Sequence, residues 1–238
     1  MTLHLLLRLE APLMAFGTVA VDAYRPTDVW PGASLLTGLI GNALGLRRTE
    51  PDRLADIQTR LAFACRLDRA GEELRDFHTA QLGAGDRAWT TRGQPEGRAG
   101  GANTYDSPHI RYVDYRADAS VGVALRLETS AAGITTEEAR DALAAPARPL
   151  FVGRKACPPA APILRGETDA PHALAALSAL PPSNEGSAPR VLVGDPLVPA
   201  DSLRDERAVR MADQRRWRSG FHAGQADRKE GVWRGDAT

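Results

Sequence analysis

The chain is 238 residues long, 43% hydrophobic, and balances 30 Lys+Arg against 30 Asp+Glu, which gives enough apolar content for a real core and excludes a uniformly basic nucleic-acid coat. Nearly every cation is arginine, Lys155 and Lys229 being the only lysines, and arginine offers phosphates a planar fork and bases a flat stacking surface. Two cysteines, Cys65 and Cys157, are too few for a disulfide framework and lack metal-ligand spacing. The leading Met-Thr-Leu-His-Leu-Leu-Leu-Arg is interrupted too early for a signal peptide, and no apolar run nears the about 18 residues of a membrane span. These features are read as a cytoplasmic, reducing setting with no membrane partner, no metal and no cofactor.

Leu3, Leu5, Leu7 and Leu9 alternate with His4, Leu6 and Arg8, the period of a strand with one buried face. Residues 14–25 connect it to a helix on which Leu35, Leu36, Leu39, Ile40, Ala43 and Leu44 recur at helical spacing, with Ser34 as expected N-cap. Gly38, Gly41 and Gly45 line a second, side-chain-free stripe. The stripe has two readings: tight packing on a neighbour, or an open face beside a helix start where a phosphate would sit near Arg25 and Thr27. Residues 52–60 read as a second helix and 61–68 as a strand. Ala70-Gly71 reads as a hairpin turn, with 72–79 as the returning arm, ending in Asp76-Phe77-His78-Thr79.

Residues 82–118 read as a long glycine-rich excursion carrying Arg87, Arg92, Arg98, Arg111 and Arg116 among Trp89, Tyr105, Tyr112 and Tyr115. Arginines interleaved with aromatics suit single-stranded nucleic acid, since rings stack on bases while guanidinium groups follow the backbone, although Asp86, Glu96, Asp106 and Asp114 offset the charge. Val121, Val123, Leu125 and Leu127 then alternate as a strand, and Thr135-Thr-Glu-Glu138 is a capping box opening a helix to about residue 145. Two strand-helix halves with a hairpin between them predict an α+β, ferredoxin-like (RRM-type) domain over 1–165 with a thumb insertion at 82–118. Pro149-Leu-Phe-Val-Gly153-Arg154-Lys155 reads as a short strand and a glycine turn presenting two cations. Residues 166–238 are expected to form a small β-rich C-terminal subdomain: an alanine-rich helix over 169–180, a polar linker, a strand at 190–193, and an arginine-dense tail over 204–218 that fits either helix or strand.

No zinc, P-loop, dinucleotide or serine-hydrolase pattern is present, so no catalytic residue is assigned. His78 and Lys155, with Tyr105 or Tyr112, would supply the base and cation of a metal-free RNase, but the chain offers binding groups more clearly than reactive ones.

Four segments in register carry a family resemblance: Leu9-x-x-Pro12-Leu13-x-x-Phe16-Gly17; Arg25-Pro26-Thr27 with Pro31 and the Leu-x-Gly-Leu-Ile-Gly-x-Ala-Leu-Gly helix; Arg75-Asp76-Phe77-His78-Thr79; and Pro149-Leu-Phe-Val-Gly-Arg-Lys-Ala-Cys-Pro158. Together they resemble the CasD subunits of subtype I-E CRISPR Cascade, within the repeat-associated mysterious protein (RAMP) superfamily. The resemblance implies a non-catalytic RNA-binding subunit that grips the repeat-derived 5′ handle of the CRISPR RNA and caps the backbone filament. It implies contacts with a CasC-type backbone subunit and a CasA-type large subunit, and with target DNA through the complex. It places Arg25, Thr27 and Ser34 by the handle, His78 near its bases, Arg154 and Lys155 on its phosphates, and Arg92 and Arg111 on the thumb. Gly32-Ala33-Ser34 departs from the family's Ser/Thr-Arg/Lys-Ser, which throws weight onto Arg25. Subtype I-C relatives cut repeat RNA, so a metal-independent endoribonuclease is the alternative.

Overall fold

The computed structural model describes residues 1–81, 88–89, 95–96, 108–183 and 189–234. In chain order the elements are β1 (Thr2–Glu10), β2 (Leu13–Met14), β3 (Tyr24–Arg25), α1 (Ala33–Ala43), α2 (Pro51–Arg60), β4 (Leu61–Arg69), β5 (Glu72–Ala80), β6 (Ala88–Trp89), β7 (Pro95–Glu96), β8 (His109–Ala117) and β9 (Ser120–Leu127). They continue with α3 (Thr136–Ala144), β10 (Leu164–Ala170), α4 (Ala173–Ala176), β11 (Arg190–Val193), β12 (Leu203–Arg216) and β13 (Phe221–Trp233). The chain is thus a mixed α/β structure made mostly of antiparallel strands.

One sheet runs in the order β10-β1-β9-β4-β11-β13-β12. The period-two reading of β1 holds: Leu5, Leu7 and Leu9 are 0–1% exposed and join Phe63, Val123 and Leu125 against α1, α2 and α3, each such side chain being worth roughly 1.5–3 kcal/mol on burial. Leu6, Ala64, Ala124 and Val191 face the other way onto Leu174, Leu177 and Leu180 of α4 and the 3-10 turn after it. The α3 capping box forms as read, Thr135 accepting from the Glu138 N–H at 3.1 Å while the Glu138 carboxylate accepts from the Thr135 N–H at 2.8 Å. β10 was not foreseen. The boundary drawn at residue 165 falls inside it, and β11, β13 and β12 continue the same sheet.

Ala70-Gly71 is not a hairpin turn. β4 pairs with β9 and β5 pairs with β8, in different sheets, yet the register runs through: Arg69 faces Ser120 and Glu72 faces Ala117. The two arms form one ribbon, kinked where Gly71 takes φ +63°, and a Cβ there would lie 2.2 Å from the Ala117 carbonyl. Only glycine fits. Residues 109–117 of the expected excursion are therefore strand β8, the second arm of the ribbon. Arg69 and Asp118 close the kink through a 2.9 Å ion pair. β2 and β3 flank β8 on its other side, which ties the ribbon to the body of the protein. The remainder of the expected thumb, including Arg92 and Tyr105, lies outside the described residues apart from the backbone of β6 and β7.

Candidate nucleic-acid interface

α1 begins at Ala33 with Gly32 as N-cap, not Ser34, and no side chain of its own neighbourhood caps it. The cap comes from β12: the buried Asp213 carboxylate accepts from the Ala33 N–H at 3.3 Å and pairs with Arg228 at 2.9 Å. Negative charge at a helix start is favourable, so the helix-end anion position expected for a phosphate is already filled by this protein's own carboxylate.

The glycine stripe divides by position. A Cβ at Gly41 would sit 2.4 Å from the Leu54 Cδ2, so Gly41 lets α1 pack on α2, and Gly45 adopts φ +73° at the helix end. A Cβ at Gly38 would meet nothing within 4 Å. Gly38 opens onto a groove of about 370 Å³ lined by Ser34, Gly38 and Asn42 of α1, by Phe16, Arg25 and Arg154 from the loops, and by Arg215 and Trp217 from the C-terminal hairpin.

The loops of this groove are held rigidly. Ala15 donates to the Val152 carbonyl at 3.1 Å, and the Ala15 carbonyl lies 1.6 Å from where a Gly153 Cβ would stand, so the turn before Arg154 requires glycine. No strand forms at 149–152; this segment is a loop zipped onto residues 14–16. Thr27 is a clasp: its Oγ1 accepts from the Phe16 N–H at 2.8 Å and points back at the Phe16 carbonyl at 3.3 Å. Arg154 spans the groove wall, donating to the carbonyls of Asp114 at 2.7 Å and Arg25 at 2.8 Å, with its guanidinium 4.8 Å over the Tyr115 ring. Among the described residues Arg25 donates to carbonyls alone, those of Asp22 at 2.6 Å and Tyr24 at 2.9 Å. Phe16 is buried. Lys155 is exposed just beyond.

The electrostatic character of the groove follows from what lines it. Arg25, Arg154 and Arg215 contribute three guanidinium groups, and no Asp or Glu is among the lining residues. In a chain of zero net charge, that is a local excess of positive charge beside three aromatic rings, those of Phe16, Phe151 and Trp217, and an open helix face. Backbone carbonyls neutralise none of it. A surface of this charge attracts anions.

His78 and Arg111 stand elsewhere, opposite each other on the ribbon and therefore on one face of it. The His78 Nε2 lies 2.7 Å from the Asp76 carboxylate, half exposed. The two residues border a shallow depression with Phe77, Thr79 and His109. β3 joins the two regions, since Arg25 pairs in register with Val113, two residues from Arg111. Of the residues singled out from sequence, Arg25, Ser34 and Arg154 thus meet at one groove, Thr27 supports it, and His78 and Arg111 lie along the ribbon that leads away.

A model of the CRISPR-associated protein (Cas_Cas5) family matches residues 4–229. The chain belongs to this family. It is 31% identical over 175 residues, 70% of its own length and 72% of the relative's, to the CRISPR system Cascade subunit CasD of Escherichia coli (strain K12). Among solved structures, a chain of a CRISPR RNA-guided surveillance complex is similar with a TM-score of 0.64 at 23% identity, over 96% of this chain and 88% of that one. A second, described as the crystal structure of a Cas protein, gives 0.57 at 24% identity over 97% and 94%. Both show a shared fold.

Arg215 and Trp217 were missed from sequence because the tail fitted either helix or strand. The alternation was there to be read: Val209, Met211, Asp213, Arg215 and Trp217 share the inward side of β12 and its extension, with Ser219-Gly220 as the turn.

Proposed function

We propose that this protein is a Cascade subunit that holds the 5′ handle of the CRISPR RNA in the α1 groove, caps the backbone filament, and does not cut the RNA. The observation that carries this reading is the groove itself: three arginines, no carboxylate among the described lining residues, and Gly38 bare toward the opening. The family relationship adds the class of complex, and with it a CasC-type backbone neighbour, a CasA-type large subunit, and target DNA reached through the assembly. The order β10-β1-β9-β4, with α1, α2 and α3 on one face, supports the ferredoxin-like assignment. The β5/β8 ribbon supports the reading of a thumb insertion at about 82–118, of which β8 is the longest described part. His78, tied to Asp76, serves on this reading to contact bases, while Arg154, braced at three points, shapes the loop as much as it binds.

The test is direct. Binding of a short single-stranded RNA carrying the repeat 5′ handle is measured by fluorescence anisotropy at several salt concentrations. Arg25→Ala is expected to weaken it by about 1–3 kcal/mol, the loss of a charge-assisted contact, and unchanged affinity would remove Arg25 from the site. Metal-free incubation with repeat RNA is expected to leave it intact. A product ending in a 2′,3′-cyclic phosphate, lost in His78→Ala, would replace this reading with the endoribonuclease.

A further inference from the structure

Arg215 is placed with unusual care for a side chain that has no acidic partner among the described residues. Its backbone N–H donates to the Gln58 Oε1 at 3.1 Å, its carbonyl accepts from the Gln58 Nε2 at 3.2 Å, and the Trp217 indole N–H donates to the same Oε1 at 3.2 Å. The Gln58 amide from α2 therefore satisfies both backbone groups of Arg215, as a neighbouring strand would, and fixes the adjacent ring. The guanidinium lies 5.2 Å over that ring. Its Nε is fully buried with no hydrogen-bond partner.

Among the described residues no ion pair forms at Arg215, whereas its neighbour Arg218 takes Asp52 at 2.8 Å. A second cation is brought in instead. The tips of Arg215 and Arg48 each lie 3.5 Å from the point where a Cβ on Gly220 would stand. Burial and the Arg48 charge both disfavour the charged form of Arg215. Two like charges held close, one of them desolvated and short of an acceptor, cost free energy unless an anion completes them. Arg215 lines the same acid-free groove as Arg25 and Arg154, on the wall formed by the C-terminal hairpin.

We propose that Arg215 and Arg48 form a second phosphate subsite at the hairpin end of the groove, which takes a phosphodiester of the RNA strand gripped at Arg25, and that Gln58 is the residue that positions it. This rests on the reading of the groove as an RNA site. It extends that site to the C-terminal hairpin and gives the strand a path along Gly38 from one arginine to the next.

The experiment uses the full chain and the same single-stranded 5′-handle RNA. Arg215→Gln is expected to bind about tenfold more weakly and to reduce the slope of log affinity against log salt by about 0.7, one phosphate on a single strand. Arg215→Lys should retain most of that slope, and Arg48→Ala should lower it in the same sense. Gln58→Ala should weaken binding in the wild-type background but add little on top of Arg215→Gln. A purely structural role for Gln58 would instead add in full. An unchanged salt slope in Arg215→Gln, with the melting temperature preserved, overturns the proposal. So does a loss of assembly with the backbone subunit while RNA affinity is intact, because the pair would then bind a protein carboxylate. If Arg25→Ala loses affinity and Arg215→Gln does not, the subsite fails and the groove stands; if neither change matters, the groove itself fails.

Discussion

Gly38 and Gly41 lie three residues apart on one helix, and replacement by alanine should stabilise at the first and not at the second. At Gly38 the new methyl meets nothing within 4 Å, so the variant gains the helix propensity that glycine lacks, about 1 kcal/mol, or a rise of roughly 2–4 °C in Tm for a chain of this size. At Gly41 the methyl would sit 2.4 Å from Leu54 Cδ2, in a contact between α1 and α2 that is already buried. Overpacking of this kind costs about 1–3 kcal/mol, which set against the same propensity gain of about 1 kcal/mol leaves a net change from near zero to a loss of about 2 kcal/mol, nearer zero the more freely the Leu54 side chain rotates aside. Urea denaturation of the two variants reads the difference directly. Binding should then run against stability: Gly38→Gln, which projects a side chain into the groove, should keep the fold and weaken handle RNA by about tenfold, a change of about 1.4 kcal/mol. A destabilised Gly38→Ala would refute the claim that this face is open. Gly38→Gln with full RNA affinity would refute the claim that the strand passes over it.

Asp213→Ala removes the carboxylate that caps α1 and leaves Arg228 buried without its partner, so the loss should be about 3 kcal/mol or more; Asp213→Asn, which keeps an acceptor for the Ala33 N–H, should lose less, and equal losses in denaturant titrations would contradict the capping role. On the ribbon, Arg75 grips Asp114 through two hydrogen bonds at 2.6 and 2.9 Å and holds its carboxyl below the usual carboxylate range. The native form therefore binds that proton less readily than the unfolded chain. The pair's contribution is fully present above about pH 4, the ordinary aspartate value, and is lost as pH falls through the lower native one. Hydrogen exchange of the β5 and β8 amides from neutral pH downward should show the ribbon loosening, and Asp114→Asn should abolish that dependence; a variant with the same acid transition would exclude this carboxylate as its cause.

What the sequence determined by itself is what neighbours along the chain can signal. The alternation of Leu5, Leu7 and Leu9 and the capping box at Thr135 and Glu138 rest on spacings of two to four residues, and both appear where expected, whereas a shared place for Arg25 and Arg154 comes only from the family resemblance. Ala70-Gly71 carries the local signature of a turn, yet it is a kink, because the β4–β5 arm finds its partner some 50 residues on in β8–β9 rather than in itself. Local chemistry cannot choose between those pairings; the buried area each one completes does. The same reason hid the far wall of the groove. The cap of α1 comes from Asp213, 180 residues away, and the anchor of Arg215 comes from Gln58, 157 residues away. The sequence therefore shows the cations of one loop, and the closing of the long sheet by β11, β13 and β12 decides that a second set, from the opposite end of the chain, faces them across Gly38.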